Sequence, residues 1–437
     1  MQSTTLAGAD ERSQLKATVN NLILHLHPAR VPAGALRFSY TWGLGGISTL
    51  LVLIQLVTGV LLLFHYEATV ERAYASIQYL EAEVAFGSLV RAMHHWSANL
   101  LVVTVFLHLL RVFYTGGFKQ GRTANWLIGL LLLGLVLAFN FTGYLLPWDQ
   151  LAYWAITVSS SLISYIPLMG EAITRFLLAG PEVGQTALRN FYALHVAVLP
   201  GCLLLAMAYH FWKIRKNGGL SQPVTPARQR APKVTTLPHL VEREFAAATV
   251  VLTGLLLWSM AVAAPLEALA NPVHSPNPAK AAWYFAGLQE LLLHMDALAA
   301  MSLVGLVLLG LLLLPRWDRR SEDIGLYFRS AVGRRAALLG ALLAIDVTPL
   351  LVIADEYWLD LPRQLPAWPT FVAAGLFPLG LSLAGLVVIY VGLRWLTRAN
   401  HSEALAGLFS FVMAALVILT IIGVFFRGPN MALVLPF

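Results

Sequence analysis

Residues 88–114 read SLVRAMHHWSANLLVVTVFLHLLRVFY. About 20 apolar residues cross a bilayer as a helix, and this stretch is long enough and apolar enough to do so. It is interrupted by imidazoles, and an ionisable side chain at bilayer depth is costly and needs a partner. His94 and His108 stand at positions i and i+14. At about 100° per residue that interval leaves the two side chains about 40° apart around the helix and roughly 21 Å apart along it. They share a face. His95, one position further on, is about 140° round from His108 and faces elsewhere. A second stretch, 187–212, reads ALRNFYALHVAVLPGCLLLAMAYHFW and carries His195 and His210, at i and i+15. On an ideal helix these are offset by about 60°, again one face and about four turns.

Two such helices set face to face offer imidazole at two matched depths, His94 with His195 and His108 with His210. Membrane histidines can simply hydrogen-bond between helices. Two same-face pairs at equal depth point instead to two flat cofactors, each ligated from both sides, as bis-histidine haem requires. Glycines extend the pattern. Gly45 and Gly59 are 14 apart in one neighbouring apolar run, and Gly129 and Gly143 are 14 apart in another. A residue without a side chain lets a flat ring approach the backbone, although small residues also serve plain helix packing.

The rest of the chain fits the same solvent. Of 437 residues 58% are hydrophobic and 12% charged, with mean hydropathy +0.71; so much apolar surface needs lipid to cover it. The net charge of +7 belongs to loops, and no nucleic-acid partner is expected. The single cysteine, Cys202, excludes an internal disulfide, a thiolate-held iron–sulfur cluster and a CxxCH haem attachment. The expected fold class is all-α and polytopic, with nine spans at about 38–65, 88–114, 124–146, 187–212, 245–265, 288–314, 334–354, 370–396 and 404–426. Basic residues gather in alternate connections: Arg111, Lys119 and Arg122; Lys213 to Lys233; Arg316, Arg319 and Arg320; Arg394 and Arg398. The intervening loops are mixed or acidic. The positive-inside bias then puts the N-terminus in the cytoplasm and the C-terminus outside.

Residues 1–37 form a polar arm, in which Gln14 to His27 has the pattern of an amphipathic surface helix and no removable signal peptide is expected. Residues 38–216 form a four-helix bundle for two haems. Residues 217–240 are a polar, Pro- and Gly-bearing cytoplasmic linker, and 241–437 a five-helix back half. Asp296 and Asp346 lie close to apolar segments there. Asp296 reads equally as a functional group at depth or as a helix-end residue or a partner of His294.

The front half resembles cytochrome b of quinol-oxidising bc and bf complexes, the chloroplast-type bf variant most closely. The resemblance rests on Gly45–Gly46, Thr58–Gly59, Arg91 with His94 and Trp96-Ser97-Ala98, the run from His108 to YTGGFK at 114–119, TGYLLPWDQLAYWA at 142–155, and Arg189 to Pro200. It covers about residues 30–220 and is looser beyond 240. It implies two b-type haems, quinone or quinol as substrate, a Rieske iron–sulfur protein and a c-type cytochrome or another external redox subunit as partners, and a homodimeric complex in a bacterial cytoplasmic membrane. Arg91 and Arg215 would join the histidines and glycines around the haems. It further implies an outer quinol-oxidising pocket and an inner quinone-reducing one.

Two positions depart from the family. The outer pocket's PEWY motif reads Ala281-Ala282-Trp283-Tyr284 here, so Ala282 replaces the proton-accepting glutamate. Asp149 and Glu290, with Tyr284, are the candidates left for that chemistry, and both carboxylates read equally as interfacial or structural. Gly43 stands where the bf variant has the cysteine of a covalent c-type haem, so that haem is not expected. The missing glutamate keeps a second reading open, a dihaem anchor that links the quinone pool to an external enzyme. A haem-free transporter with structural histidines is the third.

Overall fold

The computed structural model describes residues 27–219, 232–319, 330–359 and 361–435. The expected amphipathic helix of the N-terminal arm and the centre of the linker lie outside the described residues. Among those residues, nine helices are long and apolar enough to cross a membrane. The front half contributes α1 (Leu44–Leu63), α3 (Gly87–Tyr114), α4 (Thr123–Leu145) and α7 (Gln185–Lys216). Short helices α2 (Ala73–Ala82), α5 (Gln150–Ile163) and α6 (Gly170–Leu178) lie in the connections at one end. The back half contributes α8 (His239–Ala261), α10 (Ala297–Trp317), α11 (Ala331–Tyr357), α12 (Phe371–Thr397) and α13 (His401–Phe425).

The sixth span differs from its expected position. Residues 283–294 form a separate helix, α9 (Trp283–His294), and the span begins only at Ala297. The break has a local cause. Met295 is extended, and the Asp296 side chain accepts from Leu298 N at 2.9 Å, capping the new helix. Capping of this kind is the ordinary role of aspartate at a helix start, so Asp296 takes the structural of its readings. His294 pairs with Asp355 instead, at 2.7 Å.

In the front half α3 packs on α1, and α7 on α4. Helices α3 and α7 themselves make little close backbone approach, which leaves side-chain depth between them. The back half packs around α13, which lies against α11, α12 and α9. Helices α11 and α13 meet at glycines. A Cβ on Gly340 would fall 2.1 Å from the Gly407 carbonyl oxygen, so only the absence of a side chain allows that crossing.

The two halves are joined at both ends. At the basic end, Lys119 of the YTGGFK run donates to Asp318 at 2.9 Å, and both are buried. Beside this pair, Phe113 stacks on Phe409 with ring centroids 3.7 Å apart, and Trp126 Nε1 donates to Leu311 O. A two-stranded antiparallel sheet, β1 (Arg30–Pro32) with β2 (Lys233–Thr235), ties the segment before α1 to the end of the linker. At the other end the Arg91 guanidinium pairs with Glu81 and donates to the carbonyls of Ala264 and Pro265. The 149–150 corner pairs with the 268–270 loop through Gln150 N to Ala268 O and Ala270 N to Trp148 O.

A buried ion pair that loses one member strands the other charge, at a cost of about 3–5 kcal/mol. Lys119→Met is therefore expected to lower the unfolding temperature of the detergent-solubilised protein strongly. Adding Asp318→Leu should recover much of that loss, and an unchanged melting curve for Lys119→Met would contradict the assigned joint.

Candidate haem and quinone sites

His195 sits in a π-helical turn, Leu194–Val198, inside α7. Its cause is in the sequence: Pro200 has no N–H to return to Val196, so the α ladder is broken at that point. A π turn bonds i to i+5 and so takes up one more residue than an α turn. The interval of 15 between His195 and His210 therefore covers the same height as the interval of 14 between His94 and His108 on α3. The offset of about 60° expected on an ideal helix is absorbed, and the two ligand-bearing faces match.

The His94 and His195 rings lie edge-on to one another, with centroids 6.3 Å apart and planes at 71°. Two imidazoles on one metal, with bonds of about 2.0–2.1 Å and about 1.1 Å from each nitrogen to its ring centre, sit about 6 Å apart. The spacing thus fits a single iron held from two sides. His108 and His210 lie within electrostatic reach of one another four turns away. Their Nδ1 atoms are buried without a hydrogen-bond partner among the described residues. His95 turns its ring onto Trp96 instead, at 4.8 Å.

Each imidazole is backed by one of the four glycines. A Cβ on Gly59 would lie 3.3 Å from His94 Cε1, one on Gly45 3.4 Å from His108 Cε1, and one on Gly129 3.8 Å from His210 Cε1. On Gly143 it would fall 2.6 Å from His195 Cε1. Each glycine thus lets an imidazole lie close against its backbone. Of the two arginines expected near cofactors, Arg91 is committed to Glu81 and two carbonyls. Arg215 stands exposed at the basic end of α7.

A small cleft opens between the two halves, lined by Phe141, Tyr144, Ala155, Ile156, Ser159, Ala282, Tyr284 and Phe285. Residues of α4 and α5 meet the Ala-Ala-Trp-Tyr segment there, and Tyr284 lies in the wall with Tyr144. Asp149 and Glu290 are not in that wall. Asp149 caps α5, accepting from Ala152 N at 2.8 Å and from Glu267 N at 3.0 Å.

Glu290 is fully buried behind the wall and receives Arg427 through Nε and Nη2, the latter at 2.6 Å. Arg427 also holds Glu356, and His294 bridges Glu290 and Asp355. Hydrogen bonds and charge from Arg427 and His294 outweigh burial and depress the Glu290 carboxyl below the usual range. His294 is pushed up to about 9 despite its burial, by hydrogen bonds and charge from Asp355 and Glu290. Sequence reasoning missed Arg427, Tyr144 and Ser159 as site residues. Tyr144 lies inside the TGYLLPWDQ run and could have been found there, whereas a lone arginine after the last span carries no signal.

Two imidazole pairs inside a membrane bundle, separated by about 21 Å and backed by glycine, define a membrane-embedded electron-transport protein. Known proteins point the same way. A family profile described as cytochrome b/b6/petB matches residues 33–218. Cytochrome b6 of Prochlorococcus marinus strain MIT 9211 is 45% identical over 175 residues, 40% of this chain and 80% of the relative. The cytochrome b6 of strain NATL1A is 44% identical over the same share. Among solved structures, a chain of a "Hyperthermophilic respiratory Complex III" superposes with TM-score 0.67 at 21% identity, over 96% of this chain and 98% of that one, so the back half shares the fold as well. The chain belongs to the cytochrome b/b6 family, integral membrane oxidoreductase proteins that carry b-type haem in electron transport.

Gly143→Ala should displace His195 and reduce the b-haem absorbance of the purified protein, while Gly129→Ala should leave it close to normal; equal losses would contradict the contact distances. The raised His294 value stabilises the fold fully below about pH 6.5, the unfolded value. That contribution is lost as pH rises through about 9, so the melting temperature should fall between pH 7 and 10, and His294→Gln should flatten that slope.

Proposed function

We propose that this chain is the dihaem cytochrome b subunit of a membrane quinol:cytochrome c-type oxidoreductase. It moves electrons across the bilayer between an outer quinol-oxidation site and an inner quinone site. The observation that carries this reading is the pair of imidazole sandwiches at two depths between α3 and α7. His94 and His195 hold the outer haem and His108 and His210 the inner one, with the N-terminus cytoplasmic and the C-terminus outside by the charge of the loops. When bound, the two haems supply one-electron transfer over the width of the hydrocarbon.

The chain's own residues arrange what surrounds that path. Phe141, Phe285 and Tyr284 give the outer cleft an aromatic wall suited to a flat quinone ring. Tyr144, Tyr284 and Ser159 are the hydroxyls lining it. Asp149 fixes the corner that closes the cleft, and Glu290, tied to Arg427, fixes α9 behind it. Arg215 lies at the basic end, the side on which an inner quinone or a haem carboxylate would be met. A Rieske iron–sulfur protein and a c-type cytochrome complete the assembly, which the family's architecture makes a homodimer.

A second reading keeps both haems and makes the subunit a dihaem anchor between the quinone pool and an external multihaem or iron–sulfur enzyme. It is favoured by Ala282, which presents a methyl group to the cleft where the family has a carboxylate.

The test is spectroscopic. Replacing His94 or His195 by a non-ligating residue should remove one of two b-haem signals from reduced-minus-oxidised spectra and leave the other in place. Two unchanged signals would overturn the ligand assignment. Subunits co-purified from the native membrane distinguish the two readings: a Rieske protein supports the first, and its absence with an external redox enzyme present supports the second.

A further inference from the structure

The outer and inner imidazoles are treated differently by the protein. His94 Nδ1 lies 2.9 Å from Thr58 Oγ1, and His195 Nδ1 lies 3.1 Å from Thr142 Oγ1. A hydroxyl has one proton, and both threonines have already spent theirs. Thr58 donates to the Ile54 carbonyl four residues back at 2.7 Å, and Thr142 to the Ala138 carbonyl at 2.8 Å. At Nδ1 each oxygen can therefore only accept. The proton of both outer imidazoles is fixed on Nδ1, and the lone pair of Nε2 is left for a metal. At the inner level the Nδ1 atoms of His108 and His210 are buried and meet no acceptor among the described residues.

We infer that Thr58 and Thr142 are positioning residues that lower the reduction potential of the outer haem relative to the inner one. An acceptor at Nδ1 draws the proton toward itself, makes the imidazole the stronger electron donor, and stabilises the ferric ion, which carries one more positive charge than the ferrous. The inner imidazoles lack that assistance. The inference rests on the ligand assignment proposed above and adds to it a role for residues that touch no iron.

The experiment is an equilibrium redox titration of the purified complex, followed by absorbance, with the outer signal identified as the one missing in the His94 variant. Thr58→Val removes the acceptor at nearly constant shape. It should favour reduction of the outer haem three- to tenfold, about 30–60 mV at 59 mV per decade for one electron, with the inner haem unmoved. Thr58→Ser should restore the original value. Thr142→Val should act in the same direction. Two bound haems with an unchanged outer potential in Thr58→Val, or equal shifts of both haems, would overturn the inference. Should Thr58→Val shed the outer haem, Thr58→Ser must retain it; loss from the serine variant too would show that the hydroxyl is not what matters. A wild-type complex with fewer than two b haems would instead refute the ligand assignment, and the two failures are thereby separated.

Discussion

Four imidazoles placed in hydrocarbon set the terms for the front half. Each has two ring nitrogens that need a partner where no water is available. Helices α1 and α4 bring glycine to the back of each ring and supply a threonine hydroxyl to Nδ1 of the two outer ones. Helices α3 and α7 stand apart while leaning on outer neighbours. A pair of facing helices packed tightly on each other would have no depth for a planar group.

The back half answers a different demand. It closes the acidic end of the front half with the 262–282 segment and α9, and both are held by charge. Arg91 grips two carbonyls of the segment, while Arg427 and His294 hold Glu290 on α9. At the basic end Lys119 and Asp318 join the halves, the front half again supplying the cation. Buried pairs of this kind contribute little net stability over apolar packing, yet breaking one is costly. They fix how one half sits on the other more than they strengthen either. The aromatic cleft at the junction depends on that fixed relation, since its walls come from α4, α5 and α9.

The number and rough limits of the spans could be read from apolar length alone, and so could the four histidines, because period and solvent leave few alternatives. The boundary at 288–314 could not. An apolar run looks continuous in sequence across Met295-Asp296, and only the cap made by Asp296 reveals that one helix ends and another begins. The carboxylates were equally opaque. Asp149 and Glu290 stand near the right motifs, but their lone pairs go to backbone amides and to Arg427, partners separated from them by as many as 137 residues. Thr58 and Thr142 lay in plain view beside Gly59 and Gly143. Their role needed the direction of a hydroxyl proton, which no spacing encodes.

The π turn at Leu194–Val198 uncouples residue count from distance along the helix. One ligand helix has an interval of 14 between its histidines and the other 15, yet both hold their imidazoles at the same two heights. A residue count is therefore not a ruler here: the turn beside Pro200 stores one position that adds sequence without adding length. Patterns that demand a fixed interval between ligands would divide proteins that are alike in space. Alignments that forbid a gap within this helix would move the extra position into a loop, whereas the molecule has put it inside the span.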